Sequence, residues 1–390
     1  MKYEQHPLFK WLREIRRDFH SHPEIGFQEI RTSSRIKEIL RELGIPVQEL
    51  PGMDTGVVGL IKGRSKGKTL ALRADIDALP IKEANDVPYR SSVEEAMHAC
   101  GHDAHTTIML GVAKQVMESG LKEKIKGNLK FIFQPAEEKI SGAEKMIRAG
   151  VLKKPKVDRI IACHMDPDLQ VGQAAIFKGV SYAAADLFRM RIKGKGSHGA
   201  KPEDSIDPIV AGAHLVTALQ TIVSREISPM EPSVITVGSL RAGTAGNIIP
   251  DEAVLEGTVR SLDQGVRSKI IERMAEMVVG LETTFKVRVQ YEYINGAPPC
   301  MNDEAVSEFL FEASSEIIGT DHFVELKPAM VGEDFALFSQ RVPGSIMRLG
   351  CANKERGLVH KLHSPHFDLD ENVLVIGVEI FTEAIKRYLL

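Results

Sequence analysis

The sequence predicts an α/β fold: a discontinuous domain with a mixed sheet flanked by helices, into which a small ferredoxin-like α+β domain is inserted. Three observations predict this. Short apolar strands alternate with helical stretches as far as about residue 183. A β-α-β-β-α-β run of roughly 110 residues follows, the pattern of a split βαβ unit. Helices and strands then resume beyond Gly296-Ala-Pro-Pro299, which marks the exit of the insert. The boundaries expected from these shifts are 1–184 and 299–390 for the two parts of the larger domain and 185–298 for the insert.

Taken in order, residues 31–43 have helical spacing, and Gly44-Ile-Pro46 ends it. Residues 68–74 form an apolar strand running into Asp75-Ile-Asp77. Residues 104–120 read as a helix whose apolar positions include Ile108, Leu110, Val112 and Val116. Residues 129–133 are a strand leading into Gln134-Pro-Ala-Glu-Glu138, and 158–163 are another leading into His164-Met-Asp-Pro167. Each of these strands ends in ionisable groups, and sites in open α/β sheets lie outside the carboxyl ends of the strands.

In the insert, Phe188, Met190 and Ile192 alternate with Arg189, Arg191 and Lys193, as in a half-exposed strand. Asp207 caps, and Pro208 opens, a helix reaching about residue 226. Strands at 233–240 and 253–260, a helix near 266–282 and a strand at 286–294 complete it.

Composition narrows the function. A chain of 390 residues can bury a large core. A net charge of −3 lacks the basic surplus of a nucleic-acid binder. No apolar run approaches the ~18 residues of a membrane span, and the first ten residues are too polar for a secretory signal. Cys100, Cys163, Cys300 and Cys351 form no CxxC pair, so a disulfide framework is not expected. The expected setting is cytoplasmic, with neither nucleic acid nor membrane as a partner.

Cys100 and His102 flank a glycine just before a helix, and alternation of the chain can direct thiolate and imidazole at one ion. An isolated CxH is more often a buried cysteine beside an exposed histidine; the dense setting His98-Ala-Cys-Gly-His-Asp-Ala-His105 favours a site. Glu137 and Glu138 are adjacent at a strand end, so their side chains diverge. One can bind metal while the other acts as a general base. His164 stands on a rigid strand end, and either His363 or His366 of a distant Pro-containing loop can complete the set. Five candidate ligands suit two ions better than one, since a catalytic zinc takes three protein ligands.

These segments resemble the aminoacylase and carboxypeptidase metallo-exopeptidase family, in the branch of hippurate hydrolases, N-acyl amino acid amidohydrolases and auxin-conjugate hydrolases. The resemblance is carried by Arg17-Asp-Phe-His-Ser-His-Pro-Glu24, Leu72–Pro80, His98–Asp103, Phe133–Glu138, Gly194-Lys-Gly-Ser-His198, Gly246–Pro250, Gly257–Arg260, Gly332-Glu-Asp-Phe335 and Leu362-His-Ser-Pro365. It implies hydrolysis of the amide bond of N-acyl-L-amino acids with two divalent ions. Cys100, His102, Glu138, His164 and His363 are then the ligands, with Cys100 as a bridge, and Glu137 is the base that activates water. It also implies that the insert is a lid and dimerisation domain. There His198 stabilises the oxyanion, from the same or the partner subunit, and Asn247 and Arg260 lie near the substrate's amide and carboxylate. Asp75, Asp77 and Asp103 are expected to orient the ligands.

Two departures stand out. Asp75 and Asp77 occupy the place of the wider family's His-x-Asp, which leaves zinc, manganese, cobalt and nickel open. His164-Met-Asp-Pro167 replaces the branch's more usual His-Asn segment. The other readings are a dipeptidase or carboxypeptidase of the same family, a thiol amidase using Cys100 as nucleophile, and a non-catalytic binding module.

Overall fold

In the computed structural model, which describes residues 3–390, the strand Thr69–Asp75 is buried at every position. A strand apolar along its whole length needs cover on both faces, and parallel sheets between helices supply it. The seven-stranded sheet to which it belongs runs in the order Val47–Gln48, Val57–Lys62, Asn128–Gln134, Thr69–Asp75, Arg159–Gln170, Gly344–Ala352, Ala174–Ile176. The four strands from Asn128–Gln134 to Gly344–Ala352 are mutually parallel, and the outer pairings are antiparallel. The sheet is therefore mixed, and its parallel centre sends several strand ends to one edge.

The chain divides into two units. The larger runs to Ser181 and resumes over Met301–Lys327 and Asp334–Leu390. Its core joins both sheet faces to the helices Phe9–Ser21, Ile30–Glu42, His102–Glu118, Glu304–Ile318 and Asn372–Leu389. Leu12, Ile108, Phe131, Phe133, Ile376 and Phe381 are wholly buried in it. The helix His102–Glu118 is covered on nearly all sides, between the sheet and the helices Phe9–Ser21 and Asn372–Leu389. Its first residue is thereby fixed in depth.

The second unit comprises Tyr182–Cys300 and Pro328–Glu333. Its four antiparallel strands lie in the order Ser233–Ala242, Glu252–Ser261, Ala184–Lys193, Arg288–Ala297. With the helices Pro208–Thr221 and Gln264–Phe285 in sequence between them, this is the ferredoxin-like arrangement. Phe188, Met190, Ile192, Leu215, Leu255 and Met274 form its own core on the helix-covered face. A buried ion pair, Asp186 with Arg267 at 2.6 and 2.8 Å, is completed by Tyr293 Oη at 2.8 Å.

Three details differ from the sequence expectation. The first long helix begins at His102, because Gly101 takes a left-handed φ of 83° and turns the chain into it. The helix opened by Pro208 ends at Thr221, in a π-helical turn over Ile222–Glu226. The strand expected to end at Cys163 continues to Gln170, so His164 lies within it. Its pairing with Thr69–Asp75 nevertheless stops at Arg73 opposite Ala162, so His164 lies beyond the last pair with that neighbour. Among the described residues, no helix is long and apolar enough to cross a membrane.

Ile108→Ala should lower unfolding free energy by about 2–5 kcal/mol, the range for emptying a filled core position. Denaturant unfolding checks this; a loss below about 1 kcal/mol would contradict the tight seating of this helix.

Candidate metal centre

Gly101 is required twice over at the start of the site. Its φ is left-handed, and a Cβ there would come within 2.9 Å of Met165 Cγ. Only glycine therefore lets Cys100 and His102 approach the strand bearing His164. His102 is fully buried, and its Nδ1 donates to the Asp77 carbonyl at 2.9 Å and lies 3.2 Å from Asp77 Oδ1. A proton fixed on Nδ1 leaves Nε2 as the lone-pair atom. That Nε2 is buried without a hydrogen-bond partner.

Five further groups converge around it. Glu137 Oε2 and Glu138 Oε1 lie 4.0 and 3.9 Å away. His363 Nε2 is 3.4 Å from Glu138 Oε1, and Cys100 Sγ is 3.6 Å from His164 Nε2. His164 Nδ1 donates to the Met165 carbonyl at 2.9 Å, so its Nε2 also faces inward as an acceptor. The His363 N–H donates to the Ala99 carbonyl at 2.8 Å, which ties the late loop to the Cys100 segment.

The separations decide what this arrangement can hold. Two ligands at zinc-like bond lengths and a tetrahedral angle lie about 3.3–3.8 Å apart. The groups Cys100, His102, His164 and Cys100, Glu138, His363 each bring their ligand atoms within 4.8 Å of one another, as do His102, Glu137, Glu138. Glu138 Oε1, like His102 Nε2, is buried with no hydrogen-bond partner. A buried polar atom left unsatisfied costs about 1–3 kcal/mol, and a cation among these donors removes that cost. The sulfur, nitrogen and oxygen donors fit borderline divalent metals. Of the two late histidines, His363 reaches the cluster, whereas His366 lies exposed beside His360.

Behind the ligands stands a layer of fixed charge. Asp77 Oδ2 accepts from the Glu138 N–H at 3.0 Å, so Asp77 contacts two candidate ligands. Asp75 accepts from Arg73 at 2.8 Å and pairs with His105 Nδ1 at 2.5 Å. His105 Nε2 in turn accepts from the Met165 N–H at 2.8 Å. Both ring nitrogens of His105 are thus engaged, and it braces the strand beside His164. Arg73 also donates to Gln134 and Asp334. Asp103 points away from the cluster: Arg16 Nε and His20 Nδ1 each lie 2.8 Å from it.

His105, Arg73 and Asp334 were absent from the residues singled out by sequence. A signal existed for Arg73, since charges at 73 and 75 in an otherwise apolar strand lie on one face. None existed for His105, whose partners come from separate strands.

The remaining sequence candidates belong to the second unit. His198 is exposed on the short strand Ser197–His198, opposite Ile248, and its Nδ1 accepts from the Ala200 N–H at 3.0 Å. Asn247 is exposed, and its carbonyl accepts from the Gly199 N–H at 2.8 Å. Arg260 is half-buried, with Nη1 on the carbonyls of Val259 and Asp186 at 2.9 and 3.2 Å.

The electrostatics follow from burial against charge. Burial alone would lower the His102 pKa, but the carboxylates of Asp75, Asp77 and Glu138 outweigh it and push it up to about 10. Burial, with Glu138, Glu137 and Asp75 beside it, pushes the Cys100 thiol well up. Burial would raise Asp75, but His102, His105 and Arg73 hold it well below the usual carboxylate range. Burial lowers His105 to about 4 despite Asp75, so it stays neutral.

Residues 71–387 match the model of peptidase family M20/M25/M40. An N-acetylcysteine deacetylase of Bacillus subtilis is 38% identical over 369 residues, covering 95% of this chain and 94% of that one. A thermostable carboxypeptidase of Saccharolobus solfataricus is 38% identical over 380 residues, covering 97% and 95%. The crystal structure of a Bacillus subtilis protein described as a dinuclear metal-binding peptidase of the M20 family superposes with a TM-score of 0.83. It is 34% identical, with 97% of each chain covered.

The raised His102 and Cys100 values carry a testable sign. Both groups hold protons at neutral pH before an ion arrives, and both must give them up to coordinate. Loading with Zn²⁺ near neutral pH should release about two protons per chain, and affinity should rise with pH. Calorimetric titration in buffers of different ionisation enthalpy measures this; metal uptake without proton release would contradict the assignment.

Proposed function

Because this chain belongs to peptidase family M20/M25/M40, a family of metal-dependent hydrolases, we propose that it cleaves the amide bond of N-acyl-L-amino acids at the cluster built on Cys100, His102, Glu138, His164 and His363. The observation that carries this reading is the convergence of those five donors with a sixth group, Glu137, beside them. Similarity along nearly the whole chain to an N-acetylcysteine deacetylase supports the substrate class.

Two divalent ions held by these ligands, with Cys100 shared between the two groups, would supply Lewis acidity toward the scissile carbonyl and a water molecule. Zinc, manganese, cobalt and nickel all suit the donor set. The protein's own part is proton handling and orientation. Glu137 takes a proton from the attacking water and passes it to the leaving nitrogen as the C–N bond breaks, yielding a carboxylic acid and a free amino acid. Glu138, held low by the imidazoles of His363 and His102 against its burial, stays ionised as a ligand. The divergence of two neighbouring carboxylates thus separates the two tasks.

The second unit is read as the lid. His198, exposed on its short strand, would donate to the developing oxyanion, a contribution of about 3–4 kcal/mol where one such donor is removed. Asn247 would meet the amide, and Arg260 offers a planar fork suited to a carboxylate. The edge strands Ser233–Ala242 and Arg288–Ala297 are suited to pairing between copies, which supports a homodimer. Four free, buried cysteines suit a reducing, cytoplasmic setting.

A carboxypeptidase acting through the same site is the second reading, favoured by the Saccharolobus relative; parallel turnover of N-acetyl, N-benzoyl and dipeptide substrates separates the two. A thiol amidase fits poorly, because burial and neighbouring carboxylates keep the Cys100 thiol protonated.

Glu137→Gln should bind as much metal as the wild type while kcat falls by about 10²–10⁴-fold. Wild-type activity should vanish on dialysis against a chelator and return with metal. Near wild-type turnover by the metal-loaded variant would sink the assignment of Glu137.

A further inference from the structure

The segment Glu24-Ile-Gly-Phe-Gln-Glu29 follows directly on the N-terminal motif of the resemblance and has no part in the chemistry described so far. It is nevertheless bound closely to the site. The Glu24 carbonyl accepts from the Ala78 N–H at 2.9 Å, one residue beyond Asp77. The Glu24 carboxylate accepts from the N–H groups of Arg31 and Thr32 at 3.0 and 2.7 Å, which fixes the start of the next helix. Lys139 Nζ donates to the Gly26 carbonyl at 2.7 Å. A Cβ on Gly26 would lie 3.0 Å from both Cα and Cβ of Ala136, so only glycine lets the two segments pack. Glu29 is wholly buried, and its Oε1 accepts from the Ala136 N–H at 2.9 Å.

Ala136 is itself strained. It has a φ of 53°, a left-handed conformation that disfavours residues with a Cβ. The turn closes on itself through Ile140 N–H to the Glu137 carbonyl at 2.7 Å and Gly142 N–H to the Ala136 carbonyl at 3.2 Å. Two carboxylates from separate segments hold its outer N–H groups: Glu29 takes that of Ala136, and Asp77 takes that of Glu138 at 3.0 Å. The residue between the two anchored amides is Glu137. Its direction is therefore set by a strained backbone pinned on either side.

We propose that Glu29 is a positioning residue for the hydrolysis, its carboxyl oxygen holding Ala136 in the left-handed turn that directs Glu137 at the reacting water while Glu138 turns to the metal. This rests on the reading of Glu137 as the base. Burial pushes the Glu29 carboxyl up, so glutamine, which keeps a carbonyl oxygen as acceptor, is a close mimic and leucine is not.

The test compares E29L, E29M, E29Q and E137Q as full-length, metal-loaded protein. The substrate is whichever member of an N-acetyl and N-benzoyl amino acid panel the wild type turns over fastest. E29L should lose about 100-fold in kcat, the scale of an ångström-sized misplacement, with KM and metal content by mass spectrometry within about twofold. E29Q should stay within about threefold of wild type, and E29M, close to glutamine in shape but without its carbonyl oxygen, should lose about as much kcat as E29L. An E29L protein with wild-type kcat overturns the proposal, and so does one whose loss of activity merely tracks loss of metal. If E29L does not fold, E29M decides, and an unchanged kcat there overturns it. An active E137Q, or a wild type inactive on the whole panel, removes the underlying reading and the inference falls with it. An inactive E137Q beside an active E29L removes the inference alone.

Discussion

Both oxygens of Asp77 are committed. Oδ1, with the residue's own carbonyl, holds the proton side of His102, and Oδ2 holds the N–H of Glu138. These contacts fix which imidazole nitrogen faces inward and where the turn after the strand Asn128–Gln134 presents its two carboxylates. His102 opens a helix and Glu138 follows a strand, so nothing local relates them. One buried carboxylate at the end of a third element does. Groups of this kind behind a ligand typically alter metal affinity by about 10–100-fold when removed, and here one group contacts two candidate ligands.

The charges behind the ligands follow the same logic. Arg73 is buried among Asp75, Gln134 and Asp334, and His105 Nδ1 completes the hydrogen bonding of Asp75. Both Asp75 oxygens are therefore engaged, one by Arg73 and one by His105. On the far side, Arg16 joins Asp103 at 2.8 Å to Asp368 at 2.9 Å, residues adjacent to His102 and five beyond His363. A single buried guanidinium thus spans the two candidate-ligand segments most distant in sequence. Removing one partner from such a buried pair is far costlier than the pair's net contribution to stability, so these residues constrain the site more than they strengthen the fold.

Much of this was legible in the sequence. The apolar run of residues 68–74 and the strand of 129–133 announced a buried sheet with ionisable ends. The alternation of Phe188, Met190 and Ile192 announced a one-sided sheet in the insert. Glu137-Glu138 and His164 stood out because each follows an apolar strand; the choice of Glu138 over Glu137 and of His363 over His366 came from the resemblance. Two things were not legible. His105 looked like one more histidine of a dense stretch, because its partners, Asp75 and the Met165 N–H, lie on separate strands. Glu29 was not singled out at all, because the Ala136 N–H that its carboxylate meets lies on a segment far away in the chain. Periodicity records which face a residue occupies; it does not record which distant segment meets that face.

The account stands on one claim: that Cys100, His102, Glu138, His164 and His363 hold a pair of ions between the Gly101 turn and the strand of His164. Anomalous diffraction from crystals grown with manganese or zinc tests it directly. Two peaks about 3.5–4 Å apart, each within bonding distance of these side chains and both near Cys100 Sγ, are the predicted result. A single peak, or metal bound elsewhere with these five side chains turned away from it, would contradict the claim.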